Sequence, residues 1–168
     1  MGNGGFGYHV LRTIRPPGAM SASATGTDGM SYAETMRRGM GEDWAAGIAD
    51  KTVVDFGCGG GRGSIELARH GARRVIGIDI RPEVLEVART SAEQAKVSDR
   101  CTFETATSEA VDLVVSLDAF EHFDDPGGVL GLMHGMLRPG GGVFVSFGPT
   151  WYHPRGGHLF SIFPWSHL

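Results

Sequence analysis

The sequence predicts an α/β fold in three layers, with a mostly parallel sheet between helices. Short apolar runs alternate with stretches of helical period from Lys51 onward. Alternation of that kind implies parallel strands joined by helical crossovers. The runs are apolar almost throughout, as "VDLVVS" at 111–116 shows, and strands buried on both faces have that character. Between the first run and the helical pattern after it, five of the seven positions 57–63 are glycine.

The elements follow in order. Residues 1–30 are rich in Gly, Pro, Ser, Ala and Thr without a sustained period, and "RPPGAMSASATGTDG" reads as a flexible arm. Residues 31–168 are expected to form one domain. From 32 to 50 a helical pattern places Met36, Met40, Trp44 and Ile48 four residues apart, although Gly39, Gly41 and Gly47 weaken it. A first strand is expected at 52–56. A helix follows at 64–70, with Gly71 placed to end it. A second strand spans 75–80. Pro82 suits the first turn of the next helix, where Val84, Leu85, Ala88, Ala92 and Ala95 share a side. Further strands are expected at 101–105 and 112–116. A helix through Val129, Leu130, Met133, Met136 and Leu137 is closed by "RPGGG", and a fifth strand covers 143–147.

Composition narrows the function. At 168 residues, 41% hydrophobic and 20% charged, the chain is long and apolar enough for one core. A net charge of −4 leaves no basic footprint for nucleic acid or an anionic membrane. No apolar run approaches the roughly 20 residues of a membrane helix, and the N-terminus lacks the pattern of a secretory signal. Two cysteines, Cys58 and Cys101, make no disulfide framework. The default expectation is a cytoplasmic protein.

The glycine loop is where a ligand is expected. In open parallel sheets, ligands sit beyond the carboxyl ends of the strands. One glycine would serve a tight turn; five let a ligand approach the backbone. The phosphate-gripping loop GxxxxGK followed by Ser or Thr does not fit, because the loop has no lysine. The dinucleotide pattern GxGxxG fails in each register, with Arg62, Ser64 or Glu66 in the third glycine's place. The literal match at Gly2, Gly4 and Gly7 has no strand before it.

The spacing that fits is acid-x-Gly-x-Gly-x-Gly, on Asp55, Gly57, Gly59 and Gly61. "DFGCGGG" resembles the first motif of class I S-adenosylmethionine-dependent methyltransferases. "VIGID" places Asp79 at the end of the second strand, 24 residues after Asp55. It resembles that family's acid for the ribose hydroxyls, although Asp79 could also cap the helix at Pro82. "VDLVVSLDAFEHFDDP" and "LRPGGGVFVSF" resemble two later segments of the family, so the resemblance covers about residues 50–150. It implies a Rossmann-like methyltransferase fold and S-adenosylmethionine as cofactor. It also implies contacts from Asp55, Gly57, Cys58, Gly59 and Gly61, from Asp79 and Ile80, from Thr107 and from Asp118. Asp118 and Glu121 add negative charge at carboxyl-end positions, suited to a ligand with a sulfonium and an amino cation. One departure is the short "TATSEAVD" after the third strand. Thr107 or Ser108 stands roughly where many members have an acid for the adenine.

The acceptor is expected beyond strands four and five. His122 and His158 are candidate bases for an oxygen or nitrogen acceptor. Trp151, Tyr152 and His153 begin an aromatic, histidine-rich segment suited to a substrate pocket. His153 and His158 are too loosely arranged to argue for a metal. The resemblance implies methyl transfer, and a small-molecule acceptor is expected because no basic surface or added domain points to a nucleic acid, with protein acceptors left open. A catalytically silent binding module and, more weakly, a nucleotide-dependent oxidoreductase stay open. The family's sheet usually has seven strands in the order 3-2-1-4-5-7-6, and only five are legible here. The 21 residues after 147 are broken by Pro149, Pro154 and Pro164. The C-terminal strand pair is therefore expected to be missing, and an exposed fifth-strand edge would invite self-association.

Overall fold

A computed structural model describes residues 31–120 and 123–146. The expected arm at 1–30 and the aromatic segment beyond 146 lie outside the described residues. The chain order is α1 (Tyr32–Met40), α2 (Trp44–Ile48), β1 (Thr52–Phe56), α3 (Arg62–Arg69), β2 (Arg74–Ile78), α4 (Pro82–Gln94), β3 (Cys101–Glu104), β4 (Val111–Leu117), α5 (Pro126–Gly135) and β5 (Leu137–Ser146).

The weak helical pattern at 32–50 resolves into two helices. Ser31 caps α1 by accepting the Glu34 N–H at 3.2 Å, and Glu34 pairs with Arg37 and Arg38 one turn on. Gly41, at φ +95°, ends α1 with its N–H on the Arg37 carbonyl. Met36, Trp44 and Ile48 are buried, so the four-residue spacing marks the buried side of both helices.

The sheet order is β3-β2-β1-β4-β5, and every paired strand is parallel. The first five positions of the expected order are therefore present. Winding proceeds from β1 outward through β2 to β3, then reverses through β4 to β5. The carboxyl end of β1 is thus the switch point at which such folds bind ligands.

Alternate residues of β1 feed two separate cores. Val53 joins Leu67, Ala68, Leu85 and Ala88 beneath α3 and α4. Val54 and Phe56 join Val114, Val129 and Met133 beneath α5. Asp55 lies on the Val53 side, in the sheet position of an apolar residue, and is only 4% exposed. Both faces of the sheet are covered, which explains strands apolar in every position.

Boundaries moved in several places, and β5 moved most. The expected helix at 64–70 starts two residues earlier, because Gly61 takes a left-handed conformation and opens α3 directly. The expected turn "RPGGG" lies inside β5. Val111 pairs with Leu137 and Leu113 with Gly142, so Arg138, Pro139, Gly140 and Gly141 bulge out opposite Asp112. Proline and a glycine at φ +82° belong in such a bulge. The regular ladder resumes at Gly142, one residue before the strand expected at 143–147. Among the described residues β5 pairs with β4 alone. Phe144 packs towards α1, where an added Cβ on Gly39 would collide with its ring.

Candidate cofactor site

The glycine loop is drawn over the end of β2. The N–H groups of Gly57 and Cys58 both donate to the Ile78 carbonyl, at 2.8 and 2.9 Å. Gly57, Gly59 and Gly61 all have positive φ, at +82°, +50° and +82°, where an L side chain is strained. Beyond that the three differ. A Cβ on Gly57 would lie 2.7 Å from the Ala119 Cβ, and one on Gly61 would lie 2.8 Å from the Ala88 Cβ. The protein's own packing requires those two glycines. A Cβ on Gly59 would meet nothing within 4 Å among the described residues. Gly59 is therefore the loop glycine whose bare backbone faces open space.

Gly59 is also tied to Asp79, which follows β2 and is 7% exposed. The Gly59 N–H donates to Asp79 Oδ2 at 3.1 Å. The Arg81 N–H donates to Asp79 Oδ1 at 3.0 Å, so the carboxylate also holds the residue that opens α4. Asp79 is not itself the cap of α4, because Arg81 stands at the N-cap and no side chain caps that helix. The Arg81 guanidinium completes the set, with Nε on Oδ1 at 2.9 Å and Nη2 on Oδ2 at 3.0 Å.

Asp55 lies under the loop. Ser64, in the first turn of α3, donates its hydroxyl to Asp55 Oδ2 at 2.7 Å. Burial pushes the Asp55 carboxyl up to about 6, and the Asp79 charge adds to this against the opposing Ser64 bonds. Tyr32 arrives from α1. An added Cβ on Gly63 would lie 2.5 Å from Tyr32 Cε2 and 2.9 Å from Asp55 Oδ2, so ring and carboxylate flank that glycine. The Tyr32 hydroxyl is buried with no hydrogen-bond partner among the described residues. Its phenol is pushed well above the usual value by burial and then by the Asp55 charge. Cys58 is also buried, and burial raises its thiol far above the range of a reactive cysteine.

The remaining expected residues are placed as follows. Ile80 is partly buried against the second core. Thr107 is half-buried and accepts the Glu109 N–H at 3.2 Å, while Glu109 pairs with Arg74 at the start of β2. Asp118 follows β4 at φ +52° and donates its N–H to the Ser146 carbonyl at 3.1 Å. Glu121, His122, Trp151, Tyr152, His153 and His158 lie outside the described residues. Among the described residues no group of His, Cys, Asp and Glu is placed to hold a metal ion, and no helix is long and apolar enough to cross a membrane.

The arrangement is a glycine loop at the switch point, bonded to an acid at the end of the next strand. A profile of the family described as "Methyltransferase domain" matches residues 54–145, more than half of the chain. The chain belongs to this methyltransferase family. The ubiquinone biosynthesis O-methyltransferase of Serratia proteamaculans (strain 568) is 41% identical over 108 residues, 61% of this chain and 44% of that protein. The protein of the same name from Shewanella sp. (strain ANA-3) is 42% identical over 108 residues, 61% and 45% of the two chains. The chain therefore spans about half the length of the curated relatives it matches. A S-adenosylmethionine-dependent methyltransferase from Geobacter sulfurreducens, solved in complex with S-adenosyl-L-homocysteine, aligns at TM-score 0.51. It is 25% identical, over 60% of this chain and 43% of that one. The cyclase SpnF aligns at TM-score 0.55 and 22% identity, over 61% and 42% of the two chains, and shares the fold.

Three residues of this methyltransferase-family site were not legible in the sequence. Ser64 could have been suspected as a hydroxyl in the first turn after the loop. Arg81 stands two residues after Asp79 and could have been read as a neighbouring cation. Tyr32 carries no signal, because its place beside Asp55 comes from the docking of α1.

Proposed function

We propose that this chain binds S-adenosylmethionine at the Gly57–Asp79 end of the sheet and transfers its methyl group to a small-molecule acceptor. The observation that carries this reading is the Gly59–Asp79 hydrogen bond, which joins an open loop backbone to a carboxylate at the switch point. The fit is chemical as well as geometric. Asp79 can accept from two ribose hydroxyls. The exposed backbone at Gly59 admits close approach. Asp55 and Asp79 set negative charge near a ligand that carries a sulfonium and an amino cation and no phosphate. The failure of GxGxxG in every register of the loop disfavours a nucleotide-dependent oxidoreductase.

S-adenosylmethionine supplies an electrophilic methyl group on sulfur, and its transfer leaves S-adenosylhomocysteine. The chain's part is binding and orientation. Gly57, Cys58, Gly59 and Gly61 form the backbone cradle, with Asp55 beneath it, Asp79 and Ile80 at the ribose, and Thr107 and Asp118 beside the adenine and methionine ends. The names of the relatives favour an oxygen acceptor, a hydroxyl that gives up its proton as the methyl ether forms. His122 or His158 would take that proton, and Trp151, Tyr152 and His153 would line the acceptor pocket. Residues 31–168 would act as one domain, with 1–30 as its arm.

Calorimetry tests the cofactor. Binding of S-adenosylhomocysteine without binding of NAD is expected, and the reverse would move the chain to the oxidoreductases. Radiolabelled methyl transfer into a metabolite extract tests the reaction. Cofactor binding with no labelled product from any pool would favour the silent module, and a fold shared with a cyclase makes that outcome informative. Self-association through β5 is supported by its single strand partner among the described residues and by Val143, which is 38% exposed. Val143→Lys should then lower the sedimenting mass, and an unchanged monomer in both proteins would dismiss the edge.

A further inference from the structure

The Asp79 carboxylate is full. A carboxylate offers about four lone-pair sites, and here each oxygen already accepts two bonds. Oδ1 takes the Arg81 N–H at 3.0 Å and Arg81 Nε at 2.9 Å. Oδ2 takes the Gly59 N–H at 3.1 Å and Arg81 Nη2 at 3.0 Å. Two of these donors are backbone groups that fix the carboxylate's place. The other two are the prongs of one guanidinium, which delivers one N–H to each oxygen. A vicinal diol would deliver its two O–H groups in the same pattern. The ribose and the Arg81 side chain therefore compete for the same two acceptor positions.

We infer that Arg81 is a built-in competitor for the ribose subsite, exchanged for the sugar diol when the cofactor binds; this rests on the cofactor reading given above. The exchange is chemically balanced, because two N–H donors leave and two O–H donors arrive. The two backbone donors keep the carboxylate oriented throughout. The guanidinium has somewhere to go, since the Arg81 side chain is 41% exposed while Asp79 is 7% exposed. Release costs little for the same reason, because a half-solvated pair is weak. The Arg81 guanidinium occupies the two remaining acceptor positions before the ligand arrives, at the expense of affinity. It thereby sets how readily the product dissociates.

The experiment is calorimetric titration of S-adenosylhomocysteine into the full chain, with Arg81→Met, Arg81→Lys and Asp79→Ala as variants. Arg81→Met should bind roughly two- to fivefold more tightly than the wild type, the range for removing a half-exposed ion pair. Arg81→Lys keeps the charge and loses the two-pronged geometry, so it should also bind more tightly, which simple charge repulsion would not produce. In the Asp79→Ala background, Arg81→Met should change nothing. If the wild type binds and Arg81→Met binds equally or more weakly, Arg81 is not a competitor and the inference is overturned while the cofactor reading stands. Tightening by Arg81→Met that Arg81→Lys does not share, or that persists without Asp79, also overturns it. If neither the wild type nor Arg81→Met binds S-adenosylhomocysteine, the cofactor reading falls and takes the inference with it.

Discussion

The two ends of the sheet are built from the same residue types and are put to different uses. At the amino end a cleft of about 470 Å³ is lined by Asp50, Lys51, Arg73, Asp112, Arg138 and the Pro139–Gly141 bulge. Asp112 and Arg138 pair across it. Asp112 accepts the Thr52 N–H at 2.8 Å and Arg138 at 2.7 Å, and Arg73 donates to the Thr52 hydroxyl at 3.0 Å. Bonding to Arg138 holds the Asp112 carboxyl below its usual value. At the carboxyl end the Asp55 carboxyl is pushed up, the Tyr32 hydroxyl has no hydrogen-bond partner among the described residues, and Gly59 is held left-handed over open space. Cleft size does not identify the site. The Asp112–Arg138 pair stabilises the fold, whereas a buried hydroxyl short of a partner, a bare loop backbone and a carboxylate whose half-exposed partner can be exchanged are what a ligand can complete.

The strongest contrast lies in two glycines with the same φ of +82°. Gly61→Val drives a Cβ against Ala88 and Phe103. It should destabilise the chain by about 3–5 kcal/mol, from backbone strain and overpacking together. Gly140→Val at the amino end meets nothing within 4 Å among the described residues and should cost only the strain, about 1–2 kcal/mol. Urea unfolding of both variants measures this, and equal losses would mean that loop packing is not what distinguishes the carboxyl end.

Two carboxylates give opposite dependence on pH. Asp55 has its value raised on folding, to about 6. Its favourable contribution is present below the unfolded value near 4 and is lost as pH rises through about 6. Asp55→Asn keeps an acceptor for Ser64 and removes the buried charge. It should gain up to about 3 kcal/mol above pH 6 and nothing below pH 4, while weakening cofactor binding. Asp112 has its value lowered on folding. Its contribution is present above the unfolded value and is lost as pH falls through the lowered one, so Asp112→Asn should destabilise at neutral pH. Thermal melts between about pH 2 and 8, a range that reaches below the ordinary aspartate value, decide the matter, and parallel profiles for the two variants would refute the assignment.

Affinity should separate the ends in the same way. Asp79→Ala should weaken S-adenosylhomocysteine binding by about 1–3 kcal/mol, the range for charge-assisted hydrogen bonds. Asp112→Ala should leave affinity unchanged and cost about 1 kcal/mol of stability, because the Thr52 N–H loses its acceptor. The smallest effect is expected at Tyr32. Tyr32→Phe removes an unpartnered buried hydroxyl, so stability should hold or rise. Affinity should fall by about 0.5–1.5 kcal/mol if that hydroxyl meets the ligand; unchanged affinity would make Tyr32 a packing residue only.

What the sequence disclosed follows from the range of each interaction. The first four strands and the glycine loop were legible because their signals are local: apolar runs, glycines at fixed spacing, and an acid at a strand end. Asp79 was found in that way. Its partner Arg81 was not, because no period distinguishes a guanidinium that folds back from one that points into water. Tyr32 and Asp55 are 23 positions apart and meet only when α1 docks. The start of β5 was misplaced because Pro139, Gly140 and Gly141 satisfy the rules for a turn, and only the pairing with β4 shows them as a bulge. The departure from the family's adenine acid at Thr107 was visible in the sequence, and the structure adds that this hydroxyl already closes a turn with Glu109.

The most direct test of the carboxyl-end site is an amide map. In a ¹⁵N-labelled sample titrated with S-adenosylhomocysteine, the backbone signals of Gly57, Cys58, Gly59, Asp79 and Arg81 should shift together and saturate at one stoichiometric point. Those of Lys51, Arg73, Asp112 and Gly140 should stay in place. Shifts confined to the amino-end group, with the glycine loop unmoved, would contradict the account.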